Sequence, residues 1–374
     1  MLNAAIVGCG WVSDWHVADG LAHLPERFRL LACCDTDVER LDAFAARYGT
    51  PRKVADFHDV LAMSDIDMVI VCTPPALHYP MVMAALRAGK HVVCEKPFAA
   101  SLAQVDAIIA EEARSRGRCM PIFNYRFGDG IARVRHVIES GLAGRHYVSS
   151  AETAKRRGPD YYAVAWRGKF ATELGGVLLT QAIHTHDLLL WLIGTPAEVA
   201  CFKTTRVNRI EVEDCAVAAL RMADGSLASI TATLGSARQV TRLRLCFENV
   251  TFERQGYDED SARPANEPWT VVPNNEVIGR AIEAKMREVE PQRAWFVRQY
   301  ELFADAIAAG TPFPVTLLDA RASIELITAM FESDEKRSVV QLPIGAGHPK
   351  YEGWTPQAAR PTASPPGGRP ATGA

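Results

Sequence analysis

The chain is 374 residues long, 48% hydrophobic and 23% charged, with 41 basic against 44 acidic side chains and a net charge of −3. That length is more than one hydrophobic core serves and enough for two. The balanced charge leaves no basic stripe for nucleic acid, no apolar run reaches the ~20 residues of a membrane helix, and the nine cysteines lack metal-ligating or redox spacing, so a reduced, cytoplasmic protein without a metal site is expected.

The N-terminus opens directly in an apolar run, Leu2–Val7, that meets a glycine turn at Gly8 and Gly10, which reads as a strand and not a signal peptide. A helix over Trp11–Leu24 follows, then a strand at Arg29–Cys34 and a helix over Val38–Tyr48, capped by Thr36 or Asp37 and stopped by Gly49. Met68–Val71 and His91–Cys94 read as short buried strands flanking a helix over Leu77–Ala88. Ser101 and Gln104 form a capping box for a helix that Gly117 ends, and Cys119–Phe123 is the last strand of the series. Continuous apolar strands alternating with amphipathic helices predict a parallel sheet covered on both faces, a Rossmann-type α/β domain over residues 1–125.

Beyond Asn124 the pattern changes. Helices are expected over Ile131–Ser140 and, as one long element, Val177–Ile193, with a strand at Tyr147–Thr153. Asp214–Met222 and Ser226–Leu234 read as a hairpin around Asp224-Gly225, followed by Arg242–Glu248. Helices over Gln292–Ala309 and Leu317–Glu332 precede a strand at Ser338–Leu342. Strands in succession predict a second, α+β domain with an open mixed or antiparallel sheet over residues 126–345. Residues 346–374 read as a Pro/Gly/Ala-rich tail.

Two clusters carry chemistry. In Gly8-Cys9-Gly10-Trp11-Val12-Ser13 the first glycine permits a tight turn and the second lets the backbone approach a pyrophosphate at the helix N-terminus. Asp35, ending the second strand, can accept hydrogen bonds from ribose hydroxyls and repel a 2′-phosphate, which favours NAD over NADP. Lys96, in Glu95-Lys96-Pro97, leaves the end of a parallel strand where the crevice of such a sheet lies; desolvation could bring its amine toward a useful base. On the expected long helix, Thr180, His184 and Asp187 share one face. That face is either a site wall or a core histidine satisfied by Asp187, and His186 points elsewhere.

The glycine turn, Asp35, Thr73-Pro74-Pro75 with His78, Glu95-Lys96-Pro97 and the His184-x-x-Asp187 helix occur in this order, and the chain resembles the glucose–fructose oxidoreductase/inositol dehydrogenase family over roughly residues 1–345, including Trp166-Arg167-Gly168 and Phe331-Glu332-Ser333. The resemblance implies NAD-dependent hydride exchange with a secondary hydroxyl of a sugar, cyclitol or sugar-acid substrate, and a homo-oligomer, dimer or tetramer. It implies that Lys96 binds the reacting hydroxyl, that His184 is its acid/base partner, and that Thr180 borders the substrate. Gly8, Gly10, Trp11, Val12, Asp35, Thr73, Pro74, His78, Glu95 and Lys96 would line the cofactor site, with Asn124, Arg126, Trp166 and Arg167 near the nicotinamide. Many members have aspartate where Thr180 stands here, so acid/base work would fall on Lys96 and His184. Some relatives instead cleave glycosidic bonds with no net redox change, and others only sense the dinucleotide.

Overall fold

Met68–Val71 is a strand without a polar side, and in the computed structural model, which describes residues 1–257 and 265–355, all four of its side chains are fully buried. A strand buried on both faces belongs inside a parallel sheet. The surrounding elements in chain order are β1 (Leu2–Val7), α1 (Trp11–Ala18), β2 (Phe28–Cys34), α2 (Val38–Tyr48), β3 (Arg52–Val54), α3 (Phe57–Ala62), β4 (Met68–Val71), α4 (His78–Arg87), β5 (His91–Cys94), α5 (Leu102–Glu112) and β6 (Cys119–Pro121). All pairings are parallel, in the order β3-β2-β1-β4-β5-β6. The direction of winding reverses between β1 and β4, which opens a crevice at their carboxyl ends.

Local signals set the helix ends. The Asp37 carboxylate accepts from the Arg40 amide to start α2, and Gly49 ends it in the left-handed conformation. The Ser101 hydroxyl accepts from the Gln104 amide, while the Gln104 side chain reaches back to the amide of Ala100, one residue further than in an ideal capping box. The expected helix over 11–24 is interrupted: α1 stops at Ala18 and a 3₁₀ turn spans Leu21–His23. At Gly20 a β-carbon would meet the His16 carbonyl at 2.5 Å and the Tyr300 ring at 2.9 Å, so the break seats an aromatic ring. The strand β3 and helix α3 were not expected, being too short to show a period.

The rest of the chain adds α6 (Asp129–Glu139), β7 (His146–Arg156), α7 (Pro159–Tyr162), α8 (Val177–Thr180), α9 (Ile183–Ile193), β8 (Pro196–Thr204), β9 (Cys215–Met222), β10 (Leu227–Thr233), β11 (Gly235–Phe247), β12 (Val250–Gly256), β13 (Thr270–Pro273), α10 (Glu276–Arg287), α11 (Trp295–Ala309), α12 (Leu317–Lys336) and β14 (Val340–Gln341). The sheet runs β13-β12-β11-β7-β10-β9-β8-β14; β7 and β10 are parallel and every other pair is antiparallel. Helix α12 covers one side of β8. The other face is open, and register brings Val148, Leu227, Val217 and Phe202, all exposed, onto it around small residues such as Ala219 and Ser229.

Two expectations are corrected here. The single helix over Val177–Ile193 is two helices, α8 and α9, broken at Gln181-Ala182. Residues 346–355, read as tail from composition, pack against the body: the Trp354 ring lies 5.4 Å from that of Phe331, and the Tyr351 hydroxyl donates to Asp106 of α5 at 2.7 Å. The remaining tail, 356–374, lies outside the described residues. Among the described residues no helix is long and apolar enough to cross a membrane.

Candidate active site

A cavity of about 1070 Å³ runs from the β1–α1 turn to the N-terminal end of α9. At its first end Gly8 has φ +90°, and a β-carbon there would lie 2.7 Å from the Cys72 carbonyl oxygen. Gly10 lines the cavity, and a β-carbon on it would have nothing within 4 Å, so its bareness leaves room for a ligand and not for a neighbour. As N-cap of α1 it offers no side-chain partner to the first helical amides, which suits an anion at that position. Ser13, fully buried, replaces the third glycine of the fingerprint and packs the helix onto the sheet.

Asp35 borders the same end. Its carboxylate accepts from the amides of Cys9 at 2.8 Å and Asp37 at 2.9 Å. Arg40, one turn into α2, stands 3.6 Å from Asp35 and 3.2 Å from Asp37, so two carboxylates hold the nearby cation. This surrounding favours a ribose diol over a phosphate. Trp11, Val12, Thr73 and Pro74 also line the wall.

At the other end, Lys96 donates from Nζ to the Thr180 carbonyl, 2.9 Å away. The helix break explains that acceptor: the Thr180 carbonyl ends α8, where no continuing turn claims it. Burial lowers the Lys96 amine from its ordinary range; Glu95 opposes the shift and Arg167 adds to it. Behind Lys96 lies a buried chain in which His16 meets Glu95 at 3.0 Å and Tyr300 at 2.6 Å. Burial raises the Glu95 carboxyl, but the His16 hydrogen bond and the charges of His16 and Lys96 bring it to about 2.

His184 lies against Tyr125, ring centroids 4.7 Å apart and nearly parallel. Burial, aided by the charge of Lys96, brings its imidazole down to about 3. Its Nδ1 is buried without a hydrogen-bond partner among the described residues. Thr180 also lines the cavity, with its hydroxyl donating to the Gly176 carbonyl at 2.9 Å. Asn124, Trp166 and Arg167 complete this end, and the Asn124 Oδ1 is likewise buried without a partner.

Two candidates stand outside the cavity wall. His78 is buried between the carbonyls of Pro97, at 2.7 Å, and Thr73, at 2.8 Å, and so clamps the loop carrying Lys96. Arg126 is buried in ion pairs with Asp187, at 2.6 Å, and Asp319, at 3.0 Å. The i,i+3 spacing thus does not make Asp187 the partner of His184. Tyr125, Tyr161, Glu173, Gln181, Lys155 and Arg157 also line the cavity, and none of them is singled out as a site residue by the sequence. Tyr125 sits between two chosen residues and an aromatic there was a readable signal; the others come from loops and strand ends whose convergence no local pattern announces.

A parallel sheet of this order with a glycine turn at its switch point, opening onto a cavity with a buried lysine and a neutral histidine, defines a dinucleotide-dependent oxidoreductase. Comparison with known proteins gives the family. Residues 2–123 match the NAD-binding Rossmann fold of the Gfo/Idh/MocA oxidoreductase family, and residues 131–253 match the C-terminal domain of that family. The chain belongs to the Gfo/Idh/MocA family. It is 26% identical to the myo-inositol 2-dehydrogenase of Thermotoga maritima, over 90% of this chain and 98% of that one. It is 26% identical to the D-apiose dehydrogenase of Paraburkholderia graminis, over 78% and 79% of the two chains. Among solved structures, the WlbA dehydrogenase of Bordetella pertussis, in complex with NADH and UDP-GlcNAcA, superposes with a TM-score of 0.81 at 26% identity, covering 92% of this chain and 99% of that one.

Proposed function

We propose that the protein reversibly oxidises a secondary hydroxyl of a sugar, cyclitol or sugar-acid substrate, with Lys96 as the proton-exchanging group. The observation that carries this reading is the meeting of Lys96 and His184 in one cavity whose far end holds the open Gly10 and Asp35. Bound NAD supplies the hydride acceptor. Gly8, Gly10, Trp11 and Val12 would hold its pyrophosphate, Asp35 its ribose, and Asn124, Trp166 and Arg167 the nicotinamide end. Lys96, with its amine lowered by burial, takes the hydroxyl proton, and the Thr180 carbonyl holds the ammonium that forms. His184, its imidazole brought down to about 3 by burial and its Nδ1 without a partner among the described residues, meets the same hydroxyl as the acid/base partner of Lys96. Thr180, whose O–H is committed to Gly176, offers the substrate a lone pair only. A polyhydroxylated substrate accords with the inositol, apiose and nucleotide-sugar chemistry named for the relatives.

The test is NADH formation, followed by absorbance with NAD and a panel of cyclitols, aldoses and sugar acids. Lys96→Ala is expected to lower kcat by at least about 100-fold, the usual scale of a lost acid/base group, while NAD still binds. A variant with undiminished turnover would remove Lys96 from the chemistry. NAD held without any net turnover of the panel would favour a redox-neutral or sensing role.

The open face bearing Val148, Leu227, Val217 and Phe202 is the proposed contact of a homo-oligomer, since register brings these exposed apolar side chains onto one side of the sheet. Nine cysteines without a disulfide, seven of them buried, accord with residence in the cytoplasm.

A further inference from the structure

We propose that Trp354 is a positioning residue for the substrate wall, the end of a strap that ties the active-site turn to both halves of the molecule. The segment begins on α12, where the Ile344 amide donates to Glu325 at 2.7 Å and the Ile344 carbonyl accepts from Arg321 at 3.2 Å. Lys350 pairs with Glu332 and Glu335 of the same helix. The chain then crosses to α5: the Ala103 amide donates to the Tyr351 carbonyl at 3.1 Å, and the Tyr351 hydroxyl donates to Asp106. It ends with the buried Trp354, whose indole N–H donates to the Leu174 carbonyl at 2.8 Å.

Leu174 needs that partner. It is a non-glycine residue at φ +71°, buried and outside any helix or strand, so its carbonyl has no repeating hydrogen-bond mate. On its C-terminal side, Gly176 is pressed so close to Glu213 that a β-carbon would overlap the backbone. On its N-terminal side, Glu173 accepts from the Gly168 amide and from Arg167, the latter at 3.3 Å. Arg167 in turn lies 3.9 Å over the Tyr161 ring and 4.3 Å over that of Trp166. Glu173, Arg167, Tyr161 and Trp166 all line the cavity. Trp354 touches none of the reacting groups; it fixes the carbonyl beside the carboxylate that holds the arginine.

The inference rests on the proposed function only in taking this wall to meet substrate. Trp354→Phe keeps a ring against Phe331 and removes the N–H, and Phe331→Leu loosens the ring contact while keeping the donor. In Trp354→Phe, amide hydrogen exchange across 167–176 is expected to quicken about tenfold, the scale of one lost hydrogen bond, with α5 unchanged. KM for the substrate is expected to rise by a similar factor, with kcat within about twofold and NADH affinity unaltered, while Phe331→Leu moves neither KM nor exchange in 167–176. Unchanged exchange across 167–176 overturns the strap, whether or not a substrate has been found. Faster exchange with unchanged KM overturns its link to the substrate wall. Absence of turnover in the unsubstituted protein counts against the proposed function alone, since exchange still decides the strap.

Discussion

Gly8 and Gly10 stand two residues apart and are required for different reasons. Gly8 faces protein: its φ of +90° and the Cys72 carbonyl at 2.7 Å forbid a β-carbon. Gly8→Ala is expected to destabilise the fold by about 2–3 kcal/mol through backbone strain and displacement of that peptide, read as a lower denaturation midpoint. Gly10 faces open space, in extended backbone that alanine tolerates. Gly10→Ala should cost at most about 1 kcal/mol of stability yet weaken NAD binding at least about tenfold, because the added methyl occupies the approach to the helix amides. Equal losses of stability in the two variants would refute this division. Arg126 gives a related lesson. The resemblance implies a place near the nicotinamide, but two carboxylates claim its guanidinium outside the cavity wall, and a buried arginine so paired is structural.

At the scale of elements, the break between α8 and α9 matters most. Glu213, on the loop before β9, accepts the amides of Gly176 at 3.0 Å and Leu178 at 3.1 Å and thereby caps α8. Burial raises its carboxyl to about 7, although these amides pull the other way. The folded protein therefore holds a proton on Glu213 that the unfolded chain releases near pH 4.3. Stability from this group is full below about pH 4, falls as pH rises through 4–7, and is lost above 7. Glu213→Gln keeps an accepting oxygen without the charge. Its stability relative to the parent, measured by chemical denaturation, should grow by roughly 3 kcal/mol between pH 4 and pH 8; a difference independent of pH would show that the buried carboxyl is not what titrates. None of this was legible in the sequence. The apolar run through 177–193 gives a continuous helical period, and the carboxylate that caps the start of α8 comes from Glu213, 37 residues from Gly176. By contrast β1, β4 and β5 begin and end where the sequence reading put them. They are buried apolar runs punctuated by glycine, proline or charge, so the signal is local. The strands β12 and β13 were not expected, because β12 alternates apolar with polar residues only at Val250 and Phe252 and β13 is four residues long.

For the molecule as a whole, the open sheet face sets the expected assembly. Phe202 and Val217 are direct cross-strand partners on that face, both more than half exposed. Phe202→Asp with Val217→Lys should convert the assembly to a smaller species by analytical ultracentrifugation while leaving NADH binding within about twofold; an unaltered sedimentation coefficient would move the interface elsewhere. The dinucleotide end of the cavity was readable in advance because it is built within one turn and one strand. At the end proposed for the reaction, only Lys96, His184 and a few neighbours were readable. Its walls arrive from segments near 125, 161–173 and 295, joined by long-range packing that periodicity does not encode.

Lys96 is seated by the main chain of residue 180, not by its side chain. A carbonyl is present whatever residue occupies the position, so evolution can exchange the side chain without unseating the lysine. Under the proposed function, position 180 can therefore vary the substrate wall while the group proposed to accept the proton keeps its seat.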